Sequence, residues 1–330
     1  MRIVVALVAS LFLAAMAYAE KPVLTVYTYD SFAGEWGPGP QIQQSFEEVC
    51  DCTVNYVATA DSVAMLAKVL LEGKSSKADV LVGLDTNLMQ RARDSGLFAP
   101  HQVPWPDAFS LPIDWQDPDF APFDWGVLAF IYNQEAIPNP PQSFADLQSL
   151  PENVTIALQD PRTSTPGYSL LLWLETLYPE KAADLWRSMR PNILTFTKGW
   201  WDAYSMYLEG QADLVLSYTT SPAYHLINEG VDKHKAAAFA DGHIAQIELM
   251  GILAHSDERE LARAFVAHVQ SQEVQSILPT TNWMFPIRND VPLPEAFGTL
   301  IKPENIFIAD PEQVEPLRKE RLARWQNAVR

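Results

Sequence analysis

Short apolar runs of strand character alternate with helical patterns along most of the chain. The runs predict strands near Val23–Tyr29, Cys52–Ala58, Asp79–Leu84, Val127–Tyr132, Val154–Leu158, Ile193–Thr197, Leu214–Tyr218 and Ile244–Ala254. Between them the spacing predicts helices around Gln41–Val49, Ser62–Glu72, Asn87–Ser95, Tyr168–Leu177, Ala182–Met189, Asp202–Glu209 and Ala223–Glu229. The last segment, Pro311 to Arg330, reads as a charged helix that packs through Leu317, Leu322 and Trp325. This order implies an α/β fold, with mainly parallel sheets covered by helices on both faces.

A proline-rich stretch with Pro100, Pro104, Pro106, Pro112, Pro118 and Pro122 precedes Phe123-Asp124-Trp125-Gly126, which leads into a long apolar strand. A crossover between two lobes fits there, and the long Ile244–Ala254 run can carry the chain back. The expected division is 1–19 as a signal peptide, 20–125 as the first part of lobe one, 126–243 as lobe two, and 244–330 as the return with C-terminal helices. Open α/β sheets bind ligands at the carboxyl ends of their strands, so two such lobes face each other across a cleft.

The chain opens with one basic residue, Arg2, an apolar core to Leu13 that is too short to span a bilayer, and Ala17-Tyr18-Ala19. That is the pattern of an export signal cleaved after Ala19, which addresses the mature chain to the periplasm. Removing it takes away only Arg2, so the net charge of −18 becomes −19. So acidic a surface disfavours nucleic acid. Cys50 and Cys52, one residue apart, lack the ligand spacing of a zinc site and either close a small disulfide or remain thiols. The six histidines are scattered without metal-ligand spacing, and no nucleophile elbow, phosphate loop or dinucleotide turn occurs.

Aromatic and small polar residues at predicted strand ends carry the candidate chemistry. After the Leu214 strand come Tyr218, Thr219, Thr220 and Ser221, then Pro222 as a helix-opening residue and Tyr224. Gln159-Asp160-Pro161-Arg162-Thr163-Ser164-Thr165-Pro166-Gly167 repeats that logic. Two such helix mouths offer free N–H groups to an anionic or hydroxylated tail. Tyr29, at the carboxyl end of the first strand, reaches the cleft, whereas Tyr27 is core. Asp61 and Ser62 stand where a second strand gives way to a helix, and Trp36, Trp200 and Trp283 complete an aromatic set.

At these residues the chain resembles the periplasmic thiamine-binding proteins of bacterial ABC importers, an extracellular solute-binding family that also holds ferric-iron binders. The likeness covers nearly the whole mature chain. It is most specific in Lys21-Pro-Val-Leu-Thr-Val-Tyr-Thr-Tyr-Asp-Ser-Phe32, Trp36-Gly-Pro-Gly-Pro40, Gln159 to Gly167, Thr197-Lys-Gly-Trp200, Ser217 to His225 and Asn282-Trp-Met-Phe-Pro286. It implies a type II periplasmic-binding-protein fold whose lobes are joined by a hinge and close over thiamine, thiamine monophosphate or thiamine diphosphate. It implies a monomer that serves ABC permease subunits, with no catalytic role, no cofactor and no metal.

Carried over by residue, Asp61 contacts the aminopyrimidine, and Ser62 stands where the family is expected to have glycine. Ser164 and Thr165 map near the hydroxyethyl or phosphate end, Trp200 to an aromatic wall, and Tyr218 through Ser221 to a long binding strip. Tyr29, Trp36, Tyr224 and Trp283 are further candidates, while Trp201 falls outside the pattern and packs. A ferric-iron binder is the nearest rival, but Tyr218 and Tyr224 are not the adjacent tyrosines such proteins use. A thiamine-degrading enzyme would need a nucleophile, and Cys50 and Cys52 lie at the far end of a helix from the cleft.

Overall fold

The computed structural model describes residues 21–330, so the signal peptide and its cleavage after Ala19 lie outside the described residues. In chain order the strands are β1 Val23–Tyr29, β2 Thr53–Thr59, β3 Val80–Asp85, β4 Phe98–Ala99, β5 Phe120–Asn133, β6 Ile156–Gln159, β7 Ile193–Thr197, β8 Leu214–Tyr218, β9 His234–Ala236, β10 His243–Leu253, β11 Phe285–Pro286 and β12 Ile306–Phe307. The main path through the sheet runs β2-β1-β3-β10-β5-β8-β6-β7. Its two ends are parallel, β1 with β2 and β3, and β6 with β7 and β8. The centre is antiparallel, contrary to a mainly parallel expectation, because the chain passes between the lobes along strands and not through crossover helices.

β5 and β10 pair from Phe120 with Gly251 to Val127 with Ala245, and the rest of β5 pairs with β8. One strand therefore enters two cores. Phe123 packs with Leu24, Val26, Phe32 and Phe265, whereas Phe130 packs with Leu158, Trp173 and Leu216. Burial on both faces explains why β5 and β10 read as nearly unbroken apolar runs.

Register shifts mark the middle of these strands. Against β10, β3 skips Gly83 and β5 skips Phe123. Such bulges bend a strand and re-aim its side chains. At Gly83 φ is +102°, a conformation open to glycine, and a Cβ there would lie 2.3 Å from the Tyr29 ring. This bulge and the close approach together seat Tyr29.

Several helices match their sequence signals closely. Ser62–Glu72 begins behind the Asp61 cap, and Ala182–Met189 has the expected bounds. Thr165–Leu177 starts earlier than the apolar period indicates, since Pro166 fits its first turn, and Thr165 through Leu174 are all buried. The segment after β8 is a short helix, Ser221–Tyr224, that widens into a π-helical turn over His225–Glu229. Arg259–Val269 and Gln272–Thr281 form two helices that the sequence reading left unassigned. Cys50 and Cys52 are joined by a disulfide, with Asp51 between them at φ 49°.

The C-terminal helix, Pro311–Ala328, packs along both Thr86–Asp94 and Ala182–Met189. Its buried side chains are Val314, Arg318, Trp325 and Ala328, and Leu317 remains 43% exposed. Trp325 and the partly buried Leu322 pack as expected, and Leu317 alone departs, while its neighbour Arg318 is buried over the Tyr168 ring at 4.2 Å. Glu175 pairs with Arg321 and Arg324, each at 2.7 Å. Trp325 meets Phe196 edge-on at 5.2 Å and Trp186 at 6.5 Å. Trp325→Ala is expected to cost about 3–5 kcal/mol, seen as a lower urea midpoint. A loss below about 1 kcal/mol would show that this helix does not anchor the fold.

Candidate functional site

Asp61 organises the site because three helices begin at its carboxylate. It caps its own helix, with Oδ1 accepting the Ser62 N–H at 2.7 Å. The same oxygen accepts the Thr165 N–H at 3.1 Å, and Oδ2 accepts the Trp200 N–H at 3.2 Å. Thr165 and Trp200 are the first residues of Thr165–Leu177 and Trp200–Leu208. Free N–H groups and aligned dipoles at helix starts favour negative charge. Burial raises the Asp61 pKa, and the bonds from the Thr165, Ser62 and Trp200 N–H groups oppose that rise.

These contacts cross from one lobe to the other, so the structure is closed. The Ala64 N–H donates to Thr163 O at 3.2 Å across the same seam. Gly199 lies so close to Ala60 that a Cβ would sit 2.2 Å from the Ala60 carbonyl oxygen. Only a residue without a side chain permits this approach.

The cleft between these groups leaves an interior of about 50 Å³ in this closed form. Tyr29, Trp36, Asp61, Ser62 and Thr165 line it, as do Trp200, Tyr218, Ser221 and Trp283. Tyr224 lines an adjoining outer compartment with Trp36, Trp200, Trp201 and Trp283. Ser164, Thr219 and Thr220 are buried behind the wall and line neither space. The Thr165 mouth, expected to hold an anionic tail, is directed at Asp61, and the Thr165 hydroxyl accepts from Gln246 Nε2 at 3.2 Å. Trp201 does more than pack within its lobe, because its ring lies 4.6 Å from Trp36 across the cleft mouth.

The aromatic walls are held by their own partners. Trp200 stacks on Tyr204 at 4.9 Å and donates its indole N–H to Ser217 Oγ at 2.8 Å. Trp283 follows Gln272–Thr281 with φ at 57°, a strained left-handed position for a large residue, and meets Tyr224 edge-on at 5.2 Å. Among the described residues no lysine, arginine or histidine lines either compartment.

Sequence reasoning missed Glu248 and Asn282. Glu248 lines the cleft and accepts the Tyr29 hydroxyl at 2.7 Å. The Asn282 amide donates to Tyr29 Oη at 3.1 Å and to Asp124 Oδ2 at 2.6 Å. The available signal was Gln246 and Glu248 at period two within an apolar strand, which puts two polar groups on one face. Burial pushes Asp124 up to about 8 and Asp85 up to about 7. Burial and the neighbouring Asp124 hold Glu248 well above its ordinary value.

Among the described residues, His225, Glu229 and His234 form a cluster of metal-ligand type, with candidate ligand atoms within 4.8 Å of one another. The two imidazoles stack 3.8 Å apart at 22°, and one ion cannot lie in two nearly parallel ring planes. His225 instead bonds Glu229 at 2.8 Å and the Tyr204 hydroxyl at 2.9 Å, which braces the wall behind Trp200.

A hinged pair of α/β lobes closed on a small aromatic cleft defines a solute-binding protein. The pattern of the bacterial extracellular solute-binding proteins matches residues 75–302, and the chain belongs to that family. It is 46% identical over 309 residues to the "Thiamine-binding periplasmic protein" of Escherichia coli K12, covering 94% of each chain. A solved "Periplasmic thiamin binding protein" superposes with a TM-score of 0.91 at 45% identity, over 94% of this chain and 97% of that one. A ferric-binding protein from Campylobacter jejuni, at 20% identity over 92% and 99% of the chains, shares the fold with a TM-score of 0.73.

Asp85 generates a pH prediction. Its raised pKa means that the folded state holds a proton the unfolded chain releases, so this residue's contribution to stability falls as pH rises from about 4 to about 7. Asn at this position can still accept the Leu88 N–H, and the Asn87 amide can turn its unpartnered oxygen toward the new amide. Asp85→Asn is expected to gain stability over the parent increasingly across that window, measured by urea melts at several pH values. A difference independent of pH would overturn this.

Proposed function

We propose that the mature protein is the periplasmic solute-binding component of an ABC importer, capturing thiamine and its mono- and diphosphate and delivering them to the permease as a monomer. The observation that carries this reading is a small cleft that combines two buried carboxylates, Asp61 and Glu248, with aromatic faces and no basic side chain. Thiamine joins an aminopyrimidine to a cationic thiazolium, and both parts suit such walls. Each cation–π face contributes about 0.5–2 kcal/mol. Nanomolar affinity needs about −12 kcal/mol, so several contacts must act together. The relatives named for thiamine, 40–46% identical over most of the chain, support the same ligand.

The lobes proposed are 20–125 with 244–330, and 126–243. Phe123 and Phe130 in separate cores support a boundary between them, with the C-terminal helix touching both sides. The disulfide occupies both cysteines, which does not favour a thiamine-degrading enzyme with a cysteine nucleophile. Tyr218 and Tyr224 line different compartments, which does not favour iron.

Purified protein is expected to bind thiamine one to one with quenching of tryptophan fluorescence, through Trp36, Trp200 and Trp283. The absence of a saturable signal at micromolar thiamine, by fluorescence or calorimetry, would sink the reading. Asp61→Asn is expected to weaken binding about ten- to a hundredfold, the size of a lost charge-assisted bond. Unchanged affinity would reduce Asp61 to a helix cap, a role asparagine fills equally well.

The phosphorylated forms test the tail. The Thr165 N–H already serves Asp61, so the tail is placed toward the outer compartment beside Tyr224 and Asn228. Joint replacement of Ser164 and Thr165 by alanine is therefore expected to weaken thiamine, its monophosphate and its diphosphate by similar factors in calorimetry. A loss about tenfold larger for the phosphates would return the tail to the Thr165 helix mouth.

A further inference from the structure

Three carboxylates stand side by side across the middle of the sheet. Asp85 ends β3 and Asp124 lies on β5, and Glu248 on β10 is the direct partner of both. All three are buried. Like charges opposite one another weaken a sheet, and an ionised carboxylate buried without a counter-charge is costly. Two of the three have tasks within the protein. Asp85 accepts the Leu88 N–H at 3.0 Å and the Asn87 amide at 2.9 Å, and Asp124 accepts the Asn282 amide. Glu248 has one partner among the described residues, the Tyr29 hydroxyl on Oε2, and it alone of the row lines the cleft.

The surroundings indicate what completes the row. Tyr29, Trp200, Tyr218 and Trp283 line the same space, and ring faces carry negative potential. An anion beside Glu248 would be repelled, and a neutral group would leave the carboxylate uncompensated. A flat, delocalised cation satisfies the carboxylate and the rings together.

We propose that Glu248 is the counter-ion for a permanently charged aromatic ring cation on the floor of the cleft, and that it selects such a ligand over a neutral molecule of the same shape. This assignment rests on the thiamine reading, in which the thiazolium is that cation and Asp61 meets the other ring. Burial and the charge of Asp124 both raise the Glu248 pKa, and a cation alongside opposes both.

The test is calorimetric titration of the protein, Glu248→Gln and Asp85→Asn with thiamine and with its neutral thiophene isostere, in which the charged ring nitrogen is replaced by carbon. The parent is expected to prefer thiamine by about tenfold or more. Glu248→Gln is expected to lose about ten- to a hundredfold for thiamine and little for the isostere, so the preference collapses. It should melt no lower than the parent, since it removes a carboxylate whose charge is costly to bury there. Asp85→Asn, in the same row but away from the cleft, should keep the preference within about threefold.

Equal losses for both ligands in Glu248→Gln would mean that Glu248 only positions Tyr29, and would overturn the proposal. So would an Asp85→Asn effect of the same size, or a parent that binds the isostere as tightly as thiamine. A parent that binds neither ligand overturns the thiamine reading itself, and the counter-ion with it. Thiamine binding with an unaltered preference in Glu248→Gln overturns the counter-ion alone.

Discussion

Where β5 and β10 run antiparallel, the ladder extends from Phe120 and Gly251 on one side to Val127 and Ala245 on the other, with one bulge at Phe123. Both lobes hang from this one ladder, so they can rotate about it but cannot slide, because sliding would break main-chain hydrogen bonds and move every side chain to the wrong face. The Phe123 bulge lies within this passage and the Gly83 bulge beside it, and both bend the strands there. Hinge, cleft floor and carboxylate row are thus one piece of sheet, with Glu248 on β10 between Asp85 of β3 and Asp124 of β5.

Closure across that hinge is written in backbone groups. Asp61 belongs to one lobe, and the Thr165 and Trp200 N–H groups that it accepts open helices of the other. A charged acceptor taking several N–H donors is a strong arrangement in a site from which water is largely excluded. It also depends on distance, since Gly199 leaves no room between the seams for even a methyl group. Trp36 against Trp201 extends the contact to the cleft mouth. A ligand that engages Asp61 must share it with these donors, so binding and closure are coupled through a single carboxylate.

The acidic row stands against ordinary stability rules. Burial raises the pKa values of Asp85, Glu248 and Asp124, and for Glu248 the adjacent Asp124 adds to it. Strain of another kind appears at Trp283, held in a left-handed conformation at the cleft wall. Both departures occur where ligand would sit, and local cost at a site that the rest of the fold supports is the usual sign of function.

Local patterns in the chain were sufficient for the elements. β1, β7 and β8 and the helices Ser62–Glu72 and Ala182–Met189 have the bounds that periodicity and caps indicate, because side-chain period and capping act over a few residues. The aromatic and hydroxyl residues at strand ends were legible for the same reason, and most of them border the cleft. Leu317 shows where this runs out, since it stays exposed while its neighbour Arg318 is buried over distant Tyr168. Glu248 and the use of the Thr165 N–H were illegible in a deeper sense. Strand pairing sets Glu248 beside Asp85 and Asp124, and lobe closure brings Thr165 and Trp200 to Asp61. The sequence by itself determined which residues could bind a ligand, but which of them face it, and which are already occupied by one another, was decided by contacts between segments far apart in the chain that no local pattern records.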